Sequence, residues 1–156
     1  GIGNSEILAM IAVPVWDTAV TTAAIEEIRD QGVLYRVFND LLGYNDLRTA
    51  VISILESSVY LEKIALGFYD VEHKKKAANR FLSLTSVSEQ DKDAMVSKMM
   101  DTVSLIEMFN VVPEHLYSKY GFRCVKTTYD MRDQWGVYDE CETEYYYQGN
   151  RLNPVS

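Results

Sequence analysis

The stretch Asn45–Leu66, NDLRTAVISILESSVYLEKIAL, decides the fold class. Leu47, Val51, Ile54, Leu55, Leu61, Ile64 and Ala65 recur largely at the three- and four-residue spacing of one buried helical face. Asn45 or Asp46 supplies the short side-chain oxygen that caps a helix start. The pattern predicts a helix from Leu47 to about Leu66, interrupted at Gly67.

Upstream, Leu34, Val37, Phe38, Leu41 and Leu42 predict a helix that Gly43 ends in a left-handed turn. Asp17–Gln31 predicts another, with Asp17 or Thr18 as cap, Val20, Ala24, Ile25 and Ile28 inward, and Gly32 as terminator. Ile7–Val13 reads as a short helix or extended lead stopping before Pro14.

Downstream, Phe68–Leu84 continues as a helix bearing Lys74, Lys75, Lys76 and Arg80. Ser88 with Asp91 resembles a capping box. The helix after it runs to about Phe109, with Met95, Met99, Val103 and Ile106 on one stripe. Pro113 opens a last short helix ending at Gly121.

Past Gly121 the periodicity changes. Phe122–Tyr129 and Val137–Tyr147 are rich in aromatic, Thr and Val residues, and Asp133–Gly136 is turn-like. A hairpin centred between Arg132 and Asp133 places Cys124 opposite Cys141, which favours a disulfide over two free thiols. Asp130–Trp135 as a helical turn is the alternative. The tail 149–156 reads as loose. The expected fold is mainly α: a bundle of five or six helices with a small C-terminal β-hairpin or irregular cap. Residues 1–156 form a single domain, with a helical core over about 17–120 and a cap over about 121–148.

Composition agrees with a folded globular chain. Its 156 residues are 47% hydrophobic and 24% charged, a length that hides roughly 68–70% of the unfolded surface. The longest strongly apolar run, Ile7–Trp16, falls short of the roughly 20 residues of a membrane-spanning helix. With 15 Lys and Arg against 23 Asp and Glu, the net charge is −8, which disfavours nucleic-acid binding. Gly at position 1 reads as a processed or excised chain. The expected disulfide points to a secreted or extracytoplasmic setting.

The motifs of chemistry are sparse. Asp70 and His73 stand three apart on an expected helix, as in half of a di-iron site, but His115 has Val112 where a carboxylate is needed. Solvated histidines are the better reading, and no metal or cofactor is expected. A calcium loop with Gly136 at its sixth position places Met131 where the first carboxylate belongs. Neither a Gly-x-Ser-x-Gly turn nor a glycine-rich phosphate loop is present. Lys74–Lys76 with Arg80 reads as the solvated face of a helix.

Two candidate sites remain. Met95, Met99 and Met100 lie on one helix; methionine is soft enough to line an adaptable apolar groove for a small molecule. Tyr138–Tyr147 gathers Asp139, Glu140, Glu142 and Glu144 with Tyr138, Tyr145, Tyr146 and Tyr147, and no Lys or Arg. Carboxylates steer a cationic partner and tyrosines supply contact area at low entropic cost. The competing reading is a strand whose edge charge prevents association. The expected function is a binding or interaction protein, an effector, inhibitor or carrier, contacting a basic protein surface or an apolar ligand. The alternative is an enzyme whose site assembles in space.

Overall fold

The structure is a computed structural model that describes residues 4–11 and 17–153. The expected break at Pro14 and the end of the tail lie outside the described residues. Eight α-helices are described: α1 (Asn4–Ile11), α2 (Thr18–Glu27), α3 (Gln31–Asp40), α4 (Asn45–Ile54), α5 (Ser58–Leu66), α6 (Val71–Ser83), α7 (Glu89–Met100) and α8 (Tyr117–Tyr120). Two 3-10 turns, Glu107–Asn110 and Glu114–Leu116, join α7 to α8. Three antiparallel strands follow: β1 (Phe122–Asp133), β2 (Gly136–Tyr147) and β3 (Asn150–Leu152), in the order β1-β2-β3. The chain is mainly helical, as its periodicity predicts, but with more helices than five or six.

Of the two additional helices, α1 lies where a short helix or extended lead is expected, and the other comes from a break made by a tertiary partner. The expected helix over Leu47–Leu66 is two helices, because Leu55 turns to extended backbone. Gln31 Oε1, at the start of α3, accepts the backbone N–H groups of Glu56 at 2.8 Å and Ser57 at 3.0 Å. The Ser57 side chain then caps α5 through the Tyr60 N–H. Every polar backbone group released by the break thus needs a partner, and this one borrows from α3. The expected cap at Asn45 or Asp46 is replaced by Tyr44, which makes no side-chain cap bond.

Similar local chemistry shortens other helices. α7 stops at Met100 because Glu107 Oε2 reaches back to the Ser104 N–H at 3.1 Å and its hydroxyl at 3.2 Å, which starts a new turn before Phe109. α6 begins at Val71 and not at Phe68, since Phe68–Asp70 form the connecting loop. Gly32 does not end α2. α2 stops at Glu27, and Gly32 lies inside α3, which Asp30 caps through the Val33 N–H at 3.0 Å. Asp17, Ser88, Gly43 and Gly121 take their expected places: the first two as caps, the glycines at φ 89° and 83°.

The core runs through all the longer helices. Ile25, Leu34, Phe38, Leu41, Val51, Leu55, Leu61, Ile64, Leu82, Met99 and Met108 are buried within it. Val20 and Leu42, expected inward, are exposed. Leu42 lies in the turn beyond α3, where helical spacing no longer sets direction. Phe122 joins the sheet to this core. Its ring stands 5.1 Å from that of Phe109 and 5.0 Å from that of Tyr147.

The register overturns the expected disulfide. Asp133 pairs with Gly136, and Asp133 Oδ1 accepts the Trp135 N–H at 2.7 Å. This tight turn moves the hairpin centre to Gln134–Trp135. Cys141 then faces Thr128, and Cys124 faces Tyr145. The two cysteines are separated by four residues along the ladder, about 14 Å of strand, beyond the roughly 7 Å between Cα atoms that a disulfide spans. Both thiols are free. The tail also departs from expectation, since Asn150–Leu152 pairs with Tyr145–Tyr147 as β3.

Candidate functional site

β1 and β2 are each 12 residues long, and only their base touches the helices. From Lys126 to Glu142 every residue is exposed. The hairpin is therefore an arm, open on both faces. A two-stranded ribbon gains little stability by itself in water, so its base matters. There Tyr145 packs on Phe109 with ring centroids 4.8 Å apart, and Tyr147 packs on Phe122.

Strand alternation splits the eight candidate residues of Tyr138–Tyr147 between two faces. Tyr145 and Tyr147 face the core with Cys124. Tyr138, Glu140, Glu142, Glu144 and Tyr146 share the opposite face. Tyr146 and Glu144 are occupied within it. The Tyr146 hydroxyl donates to Glu144 Oε2 at 2.6 Å, a bond that holds the phenol above its ordinary pKa. The Arg123 guanidinium stacks 4.1 Å from the Tyr146 ring centroid, and Arg151 of β3 pairs with Glu144 at 3.5 Å. The acidic run thus has cations beside it in space that are distant in sequence.

Glu140 and Glu142 are different. They stand about 7 Å apart on one strand, opposite Tyr129 and Thr127, and form no ion pair among the described residues. On the other face Asp139 lies directly across from Asp130, a like-charge pairing that weakens a ladder. Over 126–142 the arm carries Lys126 and Arg132 against Asp130, Asp133, Asp139, Glu140 and Glu142, a net charge of 2 − 5 = −3.

The tip adds apolar surface that the sequence reading missed. Met131 pairs with Tyr138 across the ladder, and Tyr129, Val137 and Trp135 stand exposed beside them, Trp135 at 84%. Alternation along β1 would have shown Tyr129 and Met131 on the face of Glu140, had the register been known. Comparison of the chain with protein-family models, with curated proteins and with solved structures found no match.

The methionine candidates lie elsewhere. Met95 and Met99 are buried in the core, and Met100 is half-buried against it. The cavity beside Met95 holds about 110 Å³, less than a drug-sized ligand needs.

The remaining polar candidates differ in burial. His73, read as solvated, is buried edge-on to Phe38 with ring centroids 5.9 Å apart; His115 is exposed. Lys75 is buried too, 2.9 Å from Glu72 and 3.9 Å from Glu107, so the basic run is not one solvated face. Arg80 bonds the Leu55 carbonyl. Among the described residues, no three His, Cys, Asp or Glu side chains are grouped to hold a metal ion, and no helix is long and apolar enough to cross a membrane.

Proposed function

We propose that this chain is a binding protein whose C-terminal arm, Lys126–Glu142, engages a protein partner with a basic surface. The observation that carries this is the exposure of the arm on both faces together with its composition. Unpaired Glu140 and Glu142 line the shaft, and Trp135, Met131 and Tyr138 crowd the tip. Folding alone gives little reason to align like charges or to leave an indole in water. A cationic partner relieves the repulsion at Glu140–Glu142 and at Asp130–Asp139, while the aromatic tip supplies the desolvated anchor.

The test is capture of partners from an extract of the source cells by wild-type protein and by two variants, Glu140→Lys/Glu142→Lys and Trp135→Ala. All three positions are exposed, so the variants are expected to fold, which circular dichroism checks. A specific partner with a Lys- and Arg-rich surface should bind the wild type, weaken with salt and be lost from both variants. Equal retention by both variants would overturn the reading.

A further inference from the structure

A further cleft lies among the helices, with no residue of the arm in its lining. The turn after α3 and the loop before α6 bound a cleft of about 840 Å³, lined among others by Asn39, Asn45, Arg48, Phe68, Tyr69 and Asp70. Arg48 is only 5% exposed. Its Nε donates to the Phe38 carbonyl oxygen at 2.9 Å, and its guanidinium carbon lies 4.2 Å from the Phe38 ring centroid and 5.4 Å from that of Tyr69. Its two Nη groups have no protein hydrogen-bond acceptor and no carboxylate partner among the described residues, and they are not sealed from solvent. A guanidinium is cationic, and in a largely buried setting a counter-charge binds it more strongly than in open water. Tyr69 is not that counter-charge. Burial and the Tyr35 hydroxyl push its phenol up to about 12, and it donates its proton to Asn39 Oδ1 at 2.8 Å.

Two helix starts border the same cleft. α4 begins behind Tyr44 and α6 behind Asp70, and neither cap residue makes a side-chain bond to the helix. α2, α3, α5 and α7 are all capped by side chains. The free N–H groups and positive dipole ends of α4 and α6 therefore add to the charge of Arg48. Phe68 is fully exposed. With Tyr69 it also lines an adjoining groove of about 660 Å³ walled by Tyr35, Val59 and Leu66.

We propose that this cleft binds a small amphiphilic anion, its carboxylate or phosphate at Arg48 and its apolar body along Phe68 and the adjoining groove. Asp70 in the cleft and Asp46 in the first turn of α4 oppose the anion and limit its affinity. Specificity comes from a charged head that must satisfy the Nη groups and a tail that covers an otherwise wet aromatic ring.

The experiment titrates the whole chain with decanoate, decyl phosphate, decanol and inorganic phosphate below micellar concentrations, read by amide chemical shifts. Both decyl anions should shift Asn45, Arg48, Phe68 and Asp70. The stronger of the two identifies the head group as carboxylate or phosphate. Decanol should bind at least about tenfold more weakly, since the charge-assisted hydrogen bonds are lost, and inorganic phosphate should compete weakly at Arg48. Arg48→Met should abolish the preference for anions over decanol. Because that variant removes a buried side chain, two exposed positions provide independent tests. Asp70→Asn should tighten both anions, and Phe68→Ala should weaken the anions and decanol alike. Equal binding of decanol and decanoate, unaltered binding in both Asp70→Asn and Phe68→Ala, or no shift at these residues would each overturn the proposal.

Discussion

Arg80 Nε donates to the Leu55 carbonyl oxygen at 3.0 Å, so a cation from α6 sits on the free C-terminal end of α4. The negative end of a helix dipole favours such a group. Arg80→Met should destabilise the protein by about 1–3 kcal/mol, the usual effect of leaving a part-buried acceptor without its charged donor. Urea denaturation reads this directly. An unchanged midpoint would mean that water replaces the contact without loss.

Leu55 itself is fully buried at this junction. Leu55→Ala should cost about 2–5 kcal/mol, as for other large-to-small core changes. A thermal unfolding series with the same protein should show the corresponding fall in midpoint. A loss below about half a kcal/mol, the size of a surface change, would contradict the placement of Leu55.

Much of the helical layer was legible because its determinants are local. The caps at Asp17 and Ser88 and the left-handed glycines at 43 and 121 act within a few residues. The break after Leu55 was not legible, because Gln31 and Arg80 make it from about 25 residues away. Periodicity on both sides of the break still points inward, so the sequence reads as one long helix. Lys75 and His73 were misread for a related reason: the elements that cover them are remote in sequence.

The arm shows the same limit more sharply. Asp133 and Gly136 mark the turn, but the matching distances of Cys124 and Cys141 from Arg132–Asp133 suggested a different centre. A shift of the centre by two residues moves each cross-strand partner by four, and the disulfide vanishes with it. Protein never exposed to reductant should therefore yield two reactive thiols per chain on denaturation. In the native state exposed Cys141 should react faster than half-buried Cys124. Absence of thiol until reductant is added would refute this register.

Acid should loosen the contact between α7 and α8. Lys119 forms ion pairs with Glu89 and, at 3.0 Å, with Asp93. Its hydrogen bonds hold both carboxyls below their ordinary range. A carboxyl depressed in the folded state stabilises it above the unfolded pKa, and that contribution is lost as pH falls through the folded pKa. Stability should thus decline as pH drops below the ordinary carboxylate range, and Lys119→Met should flatten that decline. These groups are exposed, so the effect is small and fades with salt. A decline of equal depth in Lys119→Met would show that other carboxyls cause it.

The most direct test of the arm as the binding element is kinetic. The partner captured by wild type is immobilised, and association and dissociation are followed across a salt series for wild type, Glu140→Lys/Glu142→Lys and Trp135→Ala. The charge reversal should chiefly slow association and flatten its salt dependence, because exposed carboxylates act by steering. Trp135→Ala should chiefly speed dissociation, because the indole is the buried anchor. Wild-type association and dissociation rates in both variants, at every salt concentration, would contradict the arm's role.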